Sequence, residues 1–389
     1  MTRSATRTTV RPISAAIATL TCAILCAGAS AAGATPFIKS FTTTSTLSST
    51  VPANGDQNPY GIVTVPSSTD KENRGDILVS NFNDQGPLGA NGMPTGGGNQ
   101  GEGTTIVEFD SSGGHPRLFA KINPKHFPGG VGLTTALAAL PDGLVVVGSL
   151  PTTDGSSATM TAGALIVLNS RGKVVETISG GPINGPWDMT AEQQGPITTL
   201  FVSNVLNGTV SASPATVDRG TVVRLRLLDR GHRAPALLDE RVIATGFPER
   251  TDPAALVVGP TGVGLGSDDT LYVADSVGDR IAKIPHASTR MGAVSGGGAT
   301  LTDGSVVNHA GLLNDPLGLT IAPNGDILST NGLDGNLLET TPGGRQVASI
   351  AIDTNNTNGA GDLFGLTVAG GGRGVLFVDD FDNTLRLLH

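Results

Sequence analysis

Asp188 stands where a short recurring pattern otherwise carries glycine. It lies in Pro186-Trp187-Asp188-Met189, and related copies read Pro59-Tyr60-Gly61-Ile62, Pro260-Thr261-Gly262-Val263, Pro316-Leu317-Gly318-Leu319 and Leu363-Phe364-Gly365-Leu366. A sixth copy is read at Gly130-Val131-Gly132-Leu133. The residue before the glycine is therefore Tyr60, Val131, Trp187, Thr261, Leu317 or Phe364, which includes the single Trp of the chain. Aromatic and aliphatic side chains around a concave opening bind apolar or sugar faces, and a carboxylate beside Trp187 is placed to orient such a ligand. A second recurring position ends a later apolar run: Asn81, Ser149, Asn204, Asp275, Asn331 and Asp380. A ring of such amides and carboxylates suits a cation or a sugar. Asn and Asp also end strands by hydrogen-bonding their own turn backbone, which is the plainer role.

Other chemistry is poorly served. His115, His126, His232, His286 and His309 are scattered, without an i, i+4 pair or an HExxH motif. There is no Gly-x-Ser-x-Gly elbow, and Cys22 and Cys26 both fall in the first 34 residues. The glycines of Gly262–Gly266 are followed by a strand pattern where a dinucleotide loop needs a helix. Asp353–Asp362 is rich in Asn and Gly like a calcium loop, but Asn358 occupies the place of its essential glycine. No metal site and no cofactor is expected.

The elements that carry these positions are short strands. Gly259–Ile284 reads as three apolar runs separated by the turns Ser267–Asp269 and Asp275–Asp279, a three-stranded meander. The unit recurs. Second strands are expected at Ile77–Asn81, Val145–Ser149, Leu200–Asn204, Leu271–Asp275, Ile327–Asn331 and Leu376–Asp380. Third strands follow at Thr105–Phe109, Ala164–Leu168, Thr221–Leu225, Arg280–Ile284, Asn336–Thr340 and Thr384–Leu388, and most units have a more variable fourth. The spacing averages about 60 residues, longer than familiar propeller repeats because of insertions at Asn83–Gly103 and His286–Asn314. Six such units predict an all-β, six-bladed β-propeller. The sixth ends at its third strand, so an N-terminal strand must complete the last blade, and Phe37–Phe41 is the expected donor.

Pro260–Ile284, Pro316–Leu338 and Phe364–Leu387 resemble the NHL repeat. The resemblance implies a six-bladed propeller without fixing an activity, since such propellers serve as binding platforms. More distantly the chain is similar to gluconolactonase-like propellers, and related propellers include lyases. In the lactonase-type enzymes Asn and Asp metal ligands precede the Gly-apolar start of the inner strands. The equivalent positions here offer only Thr261 and the Tyr60 phenol, so the resemblance does not extend to a metal site.

The chain has 389 residues, 38% hydrophobic and 15% charged, with 55 Gly and 24 Pro, a composition suited to short strands and tight turns. Arg3, Arg7 and Arg11 precede an apolar Ile13–Gly28 and small residues at Ala27–Ala31, the pattern of a secretory signal. Residues 1–34 are thus expected to be a signal peptide and residues 35–389 the propeller, with cleavage near Ala29, Ala31, Ala32 or Ala34. Removing three arginines from 24 basic residues leaves 21 against 33 acidic ones, a net of −12. That acidity argues against nucleic acid or an anionic membrane as partner. The expectation is an exported, monomeric, non-catalytic binding or scaffold propeller whose ligand or partner meets the channel mouth. The alternative is a lactonase- or lyase-like enzyme of the cell envelope.

Overall fold

The second strand of each unit is buried along nearly its whole length because it is covered on both faces. Val145–Ser149, Leu271–Asp275, Ile327–Asn331 and Val375–Asp379 are buried at every position. Outer strands such as Val174–Ser179 alternate between exposed and covered positions instead. Sheets stacked face to face produce this contrast, and they do so here in a six-bladed β-propeller. In this computed structural model the described residues are 1–2, 35–86, 99–231, 233–296, 305–309, 311–353 and 363–389. The expected signal segment, His232 and most of Asp353–Asp362 lie outside them.

Thr35–His389 forms one unit. From the inside outwards, blade 1 is Gln57–Thr64, Ile77–Asn83, Thr105–Phe109 and Arg117–Lys121. Blade 2 is Leu133–Ala139, Val145–Ser149, Ala164–Leu168 and Val174–Ser179, and blade 3 is Pro186–Gln194, Ile197–Asn204, Val217–Leu228 and Ala236–Asp252. Blade 4 is Pro260–Leu265, Leu271–Asp275, Arg280–Ile284 and Ser305–His309, and blade 5 is Pro316–Ile321, Ile327–Asn331, Asn336–Thr340 and Gln346–Ala351. Blade 6 takes Leu363–Val368, Val375–Asp379 and Thr384–Leu388 from the end of the chain and Thr44–Ser49 from its beginning.

An N-terminal strand therefore does close the ring, but Phe37–Phe41 is not that strand. Phe37–Ser40 is a turn of 3-10 helix whose Phe37 and Ile38 N–H groups donate to the Glu339 carboxylate at 2.8 and 2.9 Å. Ile38 is buried against blades 5 and 6. The Thr/Ser run that follows makes the pairing instead, from Thr44↔Leu388 to Ser49↔Thr384. Its β-branched threonines suit a strand, and a bulge at Leu47 turns that side chain toward the core.

Neighbouring blades are stitched near the axis by one hydroxyl. Ser80 Oγ accepts from Gly61 N at 3.0 Å and donates to Thr134 O of blade 2 at 2.8 Å. Ser203 joins Asp188 N to Thr261 O of blade 4 in the same way, at 3.0 and 2.6 Å. Thr330 joins Gly318 N to Leu363 O of blade 6, at 2.9 and 3.2 Å.

Blade 3 departs from the plan. Its outermost strand, Ala236–Asp252, runs on beyond the blade and turns back through Leu256–Val258, with pairs from Arg250↔Val258 to Asp252↔Leu256. Leu256 adopts φ 64°, and its side chain is buried. The returning residues Ala255–Val258 pack onto the apolar cluster at the start of the inner strands. Among the described residues, no helix is long and apolar enough to cross a membrane.

Candidate functional site

The channel has two ends, and the inner strands make them different. At the starts of these strands Tyr60, Trp187 and Phe364 are buried and packed on each other. Tyr60 stacks on Phe364 at 3.8 Å and on Phe82 at 4.5 Å, and Trp187 meets Tyr60 edge-on at 6.0 Å. Leu317, Leu150 and the hairpin residues Leu256–Val258 complete the cluster. Ser157 Oγ donates to Leu256 O at 2.9 Å, fastening the hairpin to blade 2. The rings expected to line an open mouth form a plug, roofed by a hairpin that no repeat pattern signals. Burial, helped by Asp380 and Asp252, raises the Tyr60 phenol well above its ordinary pKa, and its hydroxyl has no hydrogen-bond partner among the described residues.

Two of the expected ring members need correction or a different role. Val131 is outside the ring. Leu133 pairs with Ser149 as Pro186 pairs with Asn204, and Leu137 with Val147 as Met189 with Val202, so Thr134 and Thr135 hold the axial positions of blade 2. Gly130-Val131-Gly132 imitates the repeat for another reason: a Cβ on Gly132 would sit 2.5 Å from the Gly101 backbone. Thr261 is in the ring, but its hydroxyl is engaged by Ser276 Oγ at 2.9 Å and Pro316 O at 3.1 Å.

The second polar set holds turns rather than presenting a ring to solvent. Asn204 Oδ1 accepts from Gly185 N at 2.8 Å, while Asn81 and Asn331 donate to the carbonyls of Thr50 and Leu312 at 3.1 and 2.8 Å. Ser149 Oγ accepts from Gly132 N at 3.2 Å. Asp275 is buried against Arg280 at 2.6 Å, and its carboxyl still sits above the ordinary range because burial outweighs the pairing. In blade 6 the equivalent is Asp379, which pairs with Leu363 and binds Arg386 at 2.6 Å; Asp380 lies one residue beyond and accepts from Asn58 Nδ2 at 3.0 Å.

Beside the plug a pocket of about 240 Å³ opens between the hairpin and blades 4 to 6, floored by Leu317 and Phe364. Asp252, Asp279 and Asp315 edge it, and Arg250 is bound to Asp252 at 2.7 Å. Burial, with Asp252 and Asp279 nearby, raises Asp315 to about 6.

Asp188 belongs to the other side of the plug. In blades 1, 4, 5 and 6 the equivalent glycine lets successive inner strands approach; a Cβ on Gly318 would strike Phe364 O at 1.8 Å. In blade 3 a side chain is admitted and used. Asp188 Oδ2 accepts from Val263 N of blade 4 at 2.9 Å, and its residual 8% exposure faces a cavity of about 200 Å³ along the axis. Aliphatic side chains make up much of the lining, among them Ile62, Leu137, Met189, Val263, Leu319 and Leu366, with the buried Thr135 hydroxyl beside them. Thr190, Thr320 and Thr367 follow on the strands, where burial gives way to partial exposure, so the cavity opens at the ends of the inner strands. Asp188 is the one ionisable side chain in this lining among the described residues. Burial pushes it up to about 8, against hydrogen bonds from the Val263 and Met189 N–H groups. Such a carboxyl binds a ligand group or exchanges a proton near neutral pH. Among the described residues no three His, Cys, Asp or Glu side chains are grouped to hold a metal.

No family model matches the chain, and no curated protein matches it either. Solved structures do. The chain is similar to the PQQ-bound aldose sugar dehydrogenase of Streptomyces coelicolor, with 17% identity, 89% of this chain and 97% of that one covered, and a TM-score of 0.54. It is similar to the calcium-binding protein regucalcin of Agrobacterium tumefaciens, with 11% identity over 90% and 93% of the chains and a TM-score of 0.52. A luciferin-regenerating enzyme aligns at 10% identity over 89% and 95%, also with a TM-score of 0.52. At these identities the likeness is one of fold, a six-bladed propeller.

Proposed function

We propose that this protein is an exported ligand-binding propeller that takes a small molecule into the open end of its central channel, at Asp188. One observation carries the reading. Among the described residues, the one ionisable group lining the axial cavity stands where four other blades have glycine, in a pocket lined otherwise by aliphatic side chains and threonines. A buried carboxyl without a charged partner is costly to keep, and a site that recognises a ligand is a reason to keep it. The aromatic ring then acts from behind, closing the channel so that the pocket has a floor. Crystals soaked with a small fragment library, half of it amines and alcohols, test this. Fragments ordered beside Asp188 are expected; fragments found only in the mouth pocket beside Asp315 would overturn the assignment.

A second reading is an enzyme, as expected for the lactonase- or lyase-like alternative. The raised Asp188 supports it, because a carboxyl titrating near 8 is suited to proton transfer. Two of the similar propellers carry enzyme names. Turnover of a lactone or sugar substrate that vanishes in Asp188→Asn, with ligand binding retained, would favour this reading over simple binding.

A further inference from the structure

Building on the channel reading, we infer that the Asp188 pocket selects a small primary alkylammonium ion, with the carboxylate as its counter-ion and the aliphatic side chains of the lining around its alkyl chain.

Three features of the pocket choose this class. First, its one ionisable group is an acid, and no basic side chain among the described residues lines the cavity or bonds to Asp188. The two neighbours that act on it are the Val263 and Met189 backbone N–H groups, which stabilise the carboxylate without neutralising it. A cationic ligand supplies the missing charge in a place where little water competes for it. Second, branched or long aliphatic side chains make up much of the lining and gain from covering methylenes, while the Thr135 hydroxyl, buried without a partner among the described residues, is an acceptor for an ammonium N–H. Third, size limits the guest. At ~30 Å³ for each water-sized volume, about 200 Å³ accommodates roughly six or seven non-hydrogen atoms. Thr190, Thr320 and Thr367 stand nearer the opening, where a chain of that length would end.

The chemistry of entry balances and has a signature. With the empty pocket, Asp188 keeps its proton through neutral pH. The ammonium ion enters with its own proton, so the carboxyl must give one up to solvent as the pair forms. Binding is therefore coupled to release of about one proton below pH 8 and to none well above it. Affinity rises about tenfold for each pH unit until Asp188 ionises in the free protein.

n-Butylammonium and 1-butanol, nearly equal in shape, are the probes for titration calorimetry in buffers of differing ionisation enthalpy. The expected result is binding of the ammonium ion at least tenfold tighter than the alcohol, with close to one proton released at pH 6.5. Asp188→Gly restores the residue that Gly61, Gly262, Gly318 and Gly365 supply in other blades and so suits the fold; it should abolish both the preference and the proton release. Equal affinity for the alcohol would overturn the cation class while leaving the channel as the site. Butylammonium binding that survives Asp188→Gly but is lost in Asp315→Asn would place the cation at the mouth and overturn the inference. If soaked fragments order beside Asp188 but butylammonium does not bind, the class fails and the channel reading stands. If neither occurs, both fail.

Discussion

The Tyr60 ring lies face to face on Phe364, with centroids 3.8 Å apart and planes inclined by 17°. This contact joins blade 1 to blade 6 and sits at the centre of the plug. Removing the Phe364 ring should cost about 3–5 kcal/mol in Phe364→Ala, because blade walls cannot collapse into the space. The Tyr60 hydroxyl is another matter. It is buried without a partner among the described residues, so Tyr60→Phe discards a desolvated group and keeps the stack. Urea unfolding should find Tyr60→Phe at least as stable as the parent. A loss above ~1 kcal/mol would mean that the hydroxyl is held by something the stack does not explain.

The repeat positions explain why the fold was legible. Val145–Ser149, Leu271–Asp275 and Ile327–Asn331 form strands with the bounds predicted from their apolar starts and polar ends, and all are buried on both faces. Tyr60, Trp187 and Phe364 were legible as neighbours for the same reason. Their accessibility was not, because Leu256–Val258 arrives from an extension of blade 3 that follows no repeat. Val131 misled because Gly132 is required by contact with Gly101, a constraint that looks the same in sequence as an axial glycine. The strand at Thr44–Ser49 was hidden by its hydroxyl-rich composition, which an edge strand tolerates. Asp188 could be found from sequence by its departure from glycine. Its bond to Val263, on the next blade, could not.

Asp188 and Glu249, each pushed up to about 8 by burial, and Glu72, pushed up to about 7, make stability depend on pH in an unusual direction. In the unfolded chain these groups lose their protons near pH 4. Between about pH 4 and 8 the folded protein therefore holds protons that the unfolded chain has released, and stability falls as pH rises through that window. The loss is about 1.4 kcal/mol for each group and each pH unit over which the proton is retained, about 5 kcal/mol in total for a group raised from near 4 to about 8. Asp110 and Asp239, lowered by hydrogen bonds from Ser112 and Arg224, act in the opposite sense but are more exposed. Thermal unfolding should give a higher midpoint at pH 5 than at pH 8.5. Asp188→Asn and Glu249→Gln should flatten that slope, and a midpoint that climbs toward pH 8.5 would contradict the assignment.

The same corner of the blade is built in two ways, and exchanging them is a direct test of what the polar positions do. Asn204 faces Thr221 across the strands at 3.3 Å between Nδ2 and Oγ1, and Asn81 faces Thr105 at 3.4 Å. In blade 4 the opposed pair is Asp275 and Arg280, both buried. Arg280→Thr alone leaves the Asp275 carboxyl without its counter-ion and should cost about 3–5 kcal/mol. Asp275→Asn with Arg280→Thr recreates the amide and hydroxyl pair of blades 1 and 3, and the introduced amide oxygen can still accept from Gly278 N as the Asp275 carboxylate does at 3.1 Å. Desolvation of two ions disappears along with their attraction, so the double variant should recover most of the loss. Urea unfolding of the two single variants and the double one gives the coupling between them. If Asp275 instead serves a bound ligand, the double variant will match the parent in stability and lose that ligand, which separates a turn residue from a site.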